Sequence, residues 1–202
     1  MLTLVDSWLR EHLFAVVFLG AIVDAIGIPF PGRIMLITAG SMAGPARDHG
    51  SSTVLVIAVA VVGTIVGDHV WYLLGRLMGR RLLDRYGRRL RISGPRLATA
   101  DRFLRRFGGI ALILGRLAAT LRIVITPLAA SRGMSYARFL AFDFAGAVLW
   151  AAGFVWLGRA AGAVGGRGGL IGTLAVVSTV AASTIVMSFM VRRWLSGRAR
   201  VS

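Results

Sequence analysis

The stretch GRLAATLR, residues 115–122, lies inside the run GGIALILGRLAATLRIVITPLAA, residues 108–130, and its two arginines decide how the chain folds. Every other residue of that run is uncharged. An arginine at the centre of a membrane-spanning helix costs about 2.5–3.5 kcal/mol on insertion scales. Two of them facing lipid would cost about 5–7 kcal/mol, which rivals the stability of a whole domain. Arg116 and Arg122 therefore face a polar interior. On a continuous helix a six-residue step separates them by about 9 Å along the axis and about 120° around it, so they would not converge. A chain broken between them could bring them together, and the run is read as a hairpin, not as a crossing.

The composition sets the frame for that reading. Of 202 residues, 56% are hydrophobic and 26 are glycine, with a mean hydropathy of +0.76. A water-soluble domain of this size needs more polar surface, so the class is an integral membrane protein. All 24 basic residues are arginine, against 8 acids. They flank apolar spans, which points to membrane topology and anionic headgroups and not to nucleic acid. The chain has no cysteine, so no disulfide framework or thiolate metal site is available. No metal, cofactor or catalytic residue is expected.

Residues 12–27 read as a short apolar helix, retained and not cleaved as a signal peptide. It stops at GIPFPG (27–32), where two prolines prevent a regular helix from continuing. IMLITAGSMAG (34–44) covers only about half of a hydrocarbon core. It is read as part of a re-entrant hairpin over 28–47, tolerable only where it is buried in protein or lines a cavity. Residues 52–75 are long enough to cross. The segment 76–106 carries eleven arginines against Asp84 and Asp101, which places it in the cytoplasm. Its scattered leucines and aromatics suggest amphipathic helices on the inner leaflet.

The second half follows the same order: the hairpin of residues 109–130, a span over 136–158, and an uncharged crossing at 169–191. Arg192, Arg193, Arg198 and Arg200 come after it, so both termini are placed in the cytoplasm. The arithmetic of crossings makes hairpin 28–47 open outward and hairpin 109–130 open inward. The expected fold is thus an all-α polytopic membrane protein. It forms one membrane domain over 1–202: a first half over 12–75, a basic connector over 76–106, a second half over 107–162, and the final helix. Two opposed hairpin-plus-helix units form an inverted repeat, a pattern of transporters with interrupted helices at the midplane.

Within the apolar segments the charged or titratable groups are Asp24, Arg33, Asp68, His69, Arg116, Arg122 and Asp143. One reading pairs acids with arginines to hold the bundle. Such pairs are an inefficient source of stability, because desolvation offsets attraction. The other reading gives Arg116 and Arg122 an anion to bind, since guanidinium keeps its proton and its planar fork fits phosphate oxygens. Asp24 is read either as a proton carrier or as a salt-bridge partner of Arg116 or Arg122. Asp68 and His69 are read as structural groups near a helix end or as proton-relay groups. Asp143 is expected to pair with Arg138 or with a hairpin arginine.

Five motifs in this order resemble the DedA family, which carries the SNARE-associated or VTT domain. They are Asp24 followed by GIPFPG and AGSMAG (39–44), then GDHVWYLLGRLMG (67–79), GRLAATLR, and GMSYARF (133–139) leading through GAVLW (146–150) to LGRAAG (157–162). The resemblance covers about residues 12–162. It implies an inner-membrane protein with two opposed re-entrant hairpins that moves lipids, notably a polyprenyl phosphate such as undecaprenyl phosphate, or serves membrane-potential and pH homeostasis. The family's functional acid falls on Asp24 and its paired arginines on Arg116 and Arg122. Arg33 stands where many members carry an acid, and Ala118-Ala119 replaces a common proline. The resulting excess of positive charge favours an anionic headgroup and adds Arg33 to the substrate-binding set. Asp24 and Asp68 are assigned to proton coupling.

Two functions compete. One is a flippase or scramblase for a phosphate-bearing lipid, with anionic lipids and protons as partners and a homo-oligomer allowed. The other is a proton-coupled transporter of a small solute or cation, in which the arginines are structural. A lipid phosphatase would need a nucleophile or metal ligands near the bilayer, and the three scattered histidines supply neither.

Overall fold

The computed structural model describes residues 12–28, 30–42, 50–79, 94–116 and 119–165. The expected crossing 169–191, the arginines after it and residues 80–93 of the basic connector lie outside the described residues. Seven helices carry the described chain: α1 (Leu13–Ile26), α2 (Gly32–Met42), α3 (Gly50–Met78), α4 (Gly94–Phe107), α5 (Ile110–Gly115), α6 (Ala119–Ser131) and α7 (Tyr136–Gly165). No strand occurs among the described residues.

α1 ends because Gly27 takes a left-handed conformation, φ 89°, and turns its amide onto the carbonyl of Asp24 at 3.1 Å. That geometry suits glycine, which has no Cβ to clash. The chain then folds back and α2 packs on α1. α1 and α2 thus form one helix pair. A second pair of helices packs together further along the chain. α4 ends at Gly108, φ 54°, α5 begins two residues later, and α6 packs on α5. These two helices cover 110–115 and 119–131.

The helices gather into two compact units. The first contains α1, α2, α3 as far as Asp68, and α7 from Ala147. Glycines set its spacing. Gly63 and Gly67 of α3 lie against the α1 backbone: a β-carbon on Gly63 would stand 2.6 Å from the carbonyl oxygen of Phe18. Gly40 of α2 lies on the backbone of Val155, and Gly158 of α7 lies on the backbone of Ile37. Small residues at fixed steps let helices approach closely where no hydrophobic effect drives them together.

The second unit contains α3 from His69, α4, α5, α6 and α7 as far as Gly146. Leu104, Leu112, Ile125, Leu128 and Phe139 form its core, with Tyr72 stacked on Phe139 at 4.3 Å between ring centres. α4 is amphipathic: Ala100 and Leu104 are buried, with Leu97, Phe103 and Phe107 packed alongside, while Arg102, Arg105 and Arg106 are exposed. Its apolar stripe therefore faces the protein core. Gly75 of α3 admits Pro127 of α6 at backbone distance.

Residues 53–78 and 136–161 are each long and apolar enough to cross a bilayer. At 1.5 Å per residue, 26 residues extend about 39 Å, beyond the roughly 30 Å of hydrocarbon. α3 exposes Val62, Val66, Val70, Leu73 and Leu77 at helical steps. Such a stripe is unfavourable in water and suited to acyl chains.

Candidate functional site

The second unit holds the two arginines that opened the sequence. α5 stops at Gly115, and Arg116 closes it with a tight bond from its amide to the carbonyl of Ile113 at 3.3 Å. The next helix begins at Ala119, so Arg116 caps one helix and Arg122 lies in the other. Gly115 allows the fold-back to close. A β-carbon placed on it would lie 3.9 Å from the Cα of Arg122 and 2.9 Å from Ile125 Cδ1. The Arg122 backbone thus passes directly beside the residue that precedes Arg116.

Both arginines are buried, Arg116 to 4% exposure and Arg122 to 9%. Arg116 crosses to α7, where its Nη2 donates to Asp143 Oδ1 at 2.5 Å and reaches the Asp143 carbonyl at 3.3 Å. Asp143 is 2% exposed. One turn further along α7, Gly146 supplies the space: a β-carbon there would stand 2.9 Å from Arg116 Nε and 3.1 Å from its Cδ. Asp143 and Gly146 therefore share one face of α7 and form a seat, carboxylate at one end and bare backbone at the other. Of the two pairings the sequence left open for Asp143, the structure has the hairpin arginine. Arg122 sits in the second turn of α6, and Thr126 donates back to its carbonyl oxygen at 3.4 Å, one residue before Pro127.

The other sequence candidates belong to the first unit. Asp24 lies in the last turn of α1, and its carboxyl group packs on Gly32, the first residue of α2; a β-carbon on Gly32 would stand 2.8 Å from Asp24 Cγ. A carboxylate at a helix N-terminus meets the positive end of the helix dipole. Arg33, the next residue, lies 6.0 Å above the ring of Phe154. Asp68 is buried at 2% exposure beside Gly67. Arg159 donates to Thr53 Oγ1 at 2.9 Å and lies over Trp156. His69, in the second unit, makes a 2.7 Å hydrogen bond with the Tyr136 hydroxyl.

Two site residues escaped the sequence reading, Gly146 and Gly32. Each is the place where a polar side chain rests on bare backbone. The available signal was DFAG (143–146), an acid and a glycine one turn apart on an apolar helix. Without knowing that Arg116 lay opposite, nothing separated that glycine from the chain's other 25.

A model of the VTT domain matches residues 30–160. The chain belongs to the VTT-domain, or DedA, family. The DedA protein of Escherichia coli is 30% identical over 153 residues, which are 75% of this chain and 68% of that protein. A membrane protein of Mycobacterium tuberculosis is 40% identical over 148 residues, 70% of this chain and 66% of the relative. A membrane protein of Bacillus subtilis is 26% identical over 161 residues, 80% of this chain and 98% of its own length. The DedA-family match thus spans just under two thirds of the mycobacterial relatives. No solved structure matches the chain. Membership of a family of membrane proteins, together with two apolar helices of crossing length, makes this DedA-family chain an α-helical membrane protein.

Proposed function

We propose that this DedA-family protein moves a phosphate-bearing lipid, such as a polyprenyl phosphate, across the cytoplasmic membrane, and that Arg116 and Arg122 receive the phosphate. The observation that carries this reading is the burial of both arginines on either side of one helix interruption. Guanidinium does not lose its proton, so the chain keeps two permanent cations inside an apolar bundle at a cost of several kcal/mol. Holding the bundle together does not account for them, because a buried ion pair is often no more stable than an apolar replacement. An anion that must leave water and enter the bilayer does account for them. The α6 N-terminus, one turn from Arg122, would add helix-end amides to the same phosphate.

In this reading segments 28–47 and 109–130 are re-entrant hairpins, opposed in the membrane and related as an inverted repeat. Asp143 holds Arg116 in place and keeps the site from binding its ligand too tightly to release it. Arg33 adds positive charge, and Asp24 and Asp68 are the groups through which a proton gradient would act. The protein is a transporter without catalytic residues, metal or cofactor, its partners are anionic lipids and protons, and both termini face the cytoplasm.

The test is flipping of labelled undecaprenyl phosphate in proteoliposomes. Wild type moves the lipid, and Arg122→Ala slows it at least about tenfold, the worth of one charge-assisted contact. An unchanged rate in Arg122→Ala removes the arginines from the mechanism. A rate independent of pH removes Asp24 and Asp68 from coupling and leaves the phosphate site standing.

A further inference from the structure

The second unit contains a cavity of about 460 Å³ at the ends of α4 and α6 and the start of α7. Its walls include Arg105, Arg132 and Arg138, and its apolar lining is Leu104, Ala129 and Met134. None of these is a residue of the buried arginine pair or of its seat on α7. Asp101 binds Arg105 at 3.2 Å from Nε to Oδ2, and its other oxygen binds Arg132. Three arginines and one carboxylate sum to +2 (3 − 1). Asp101 fixes two guanidinium groups and neutralises only one charge. Arg138 closes the far wall, its Nη2 3.6 Å from where a β-carbon on Gly108 would stand.

The position is informative. Arg138 lies in the first turn of α7, one of the two helices of crossing length, so the cavity stands at one end of a membrane span, where headgroups meet water. An apolar floor under a cationic rim suits a molecule with a phosphate above and hydrocarbon below. Arginine's planar fork fits phosphate oxygens. Ser135, also in the wall, places the cavity against the N-terminal end of α7, where free amides favour an anion.

The geometry points to a second phosphate site: this cavity binds the headgroup phosphate of an anionic membrane lipid, apart from the buried arginines. The inference does not depend on transport, since it needs only the cavity, its charge and its place at a helix end. Phosphatidylglycerol supplies the matching chemistry from the membrane, and glycerol 3-phosphate supplies it from water.

The purified full chain in phosphatidylcholine nanodiscs, titrated with phosphatidylglycerol and followed by native mass spectrometry, tests it. Arg138→Gln weakens phosphatidylglycerol binding about tenfold, and the double variant Arg105→Gln with Arg138→Gln weakens it about a hundredfold, at roughly tenfold per charge-assisted contact. Both side chains are exposed, so the melting temperature stays near that of wild type and folding is controlled. Equal affinity in wild type and the double variant overturns the site. Displacement of phosphatidylglycerol by millimolar glycerol 3-phosphate or inorganic phosphate overturns the membrane as the source. Failure of both to displace it supports a lipid.

Discussion

The two fold-backs of this chain each seat one charged side chain on a glycine, and the two charges are opposite. In the first, α1 and α2 meet around residues 27–31, and the group beside the turn is the Asp24 carboxylate. In the second, α5 and α6 pack together, and the group is the guanidinium of Arg116, which ends α5. Each side chain rests on a glycine, Asp24 on Gly32 and Arg116 on Gly146. The difference is where the glycine lies. Gly32 belongs to the helix that pairs with the one carrying Asp24. Gly146 lies on α7 together with Asp143, so Arg116 ties its fold-back to a spanning helix. The acid packs on a glycine of its own helix pair, and the cation is bonded to a carboxylate on α7.

The largest effect that would break this contrast is expected at Asp143. Asp143→Ala leaves Arg116 buried beside no carboxylate on α7 and costs about 3–5 kcal/mol, read as a lowered thermal midpoint in detergent. The pair replaced together, Arg116→Leu with Asp143→Leu, recovers most of that loss. A single variant as stable as wild type would show that the pair is not buried.

The glycine seats give a smaller and more local measure. Gly146→Ala pushes on Arg116 and on the Ile113 backbone and costs about 1–3 kcal/mol. Gly153→Ala, on the same helix, meets nothing within 4 Å and leaves stability unchanged or raises it by up to about 1 kcal/mol. Equal effects at the two positions would remove Gly146 as a seat. Gly32→Ala costs about 1 kcal/mol, less than Gly146→Ala, because what it meets is the end of a short side chain. Most of that cost disappears in an Asp24→Ala background, which a double-mutant cycle reads directly. The smallest change is Tyr136→Phe, which removes the hydrogen bond to His69 and costs about 0.5 kcal/mol at this exposed position.

Much of this plan was legible in the sequence. The cost of Arg116 and Arg122 in lipid argued for burial, and both are buried, Arg116 at the end of α5 and Arg122 within α6. The prolines of GIPFPG required a turn, and α1 and α2 fold back there. The packing of α1 on α2 was less legible, because an apolar helix does not name its neighbour. The apolar stripe of α4 carried a similar ambiguity, since residues that suit a leaflet suit a protein core equally well. The seats at Gly32 and Gly146 were out of reach. A glycine's reason is the atom that occupies its missing side chain, and that atom is set by tertiary packing.

The most direct measurement is the affinity of the purified chain for a polyprenyl phosphate, compared among wild type, Arg122→Gln and Arg159→Gln. Arg122→Gln keeps the length and polarity of the side chain and deletes its charge, while Arg159 serves the Thr53 contact of the first unit. Binding at least about tenfold weaker in Arg122→Gln, with Arg159→Gln matching wild type, is the expected result. Equal binding by all three would contradict a phosphate held at the second fold-back.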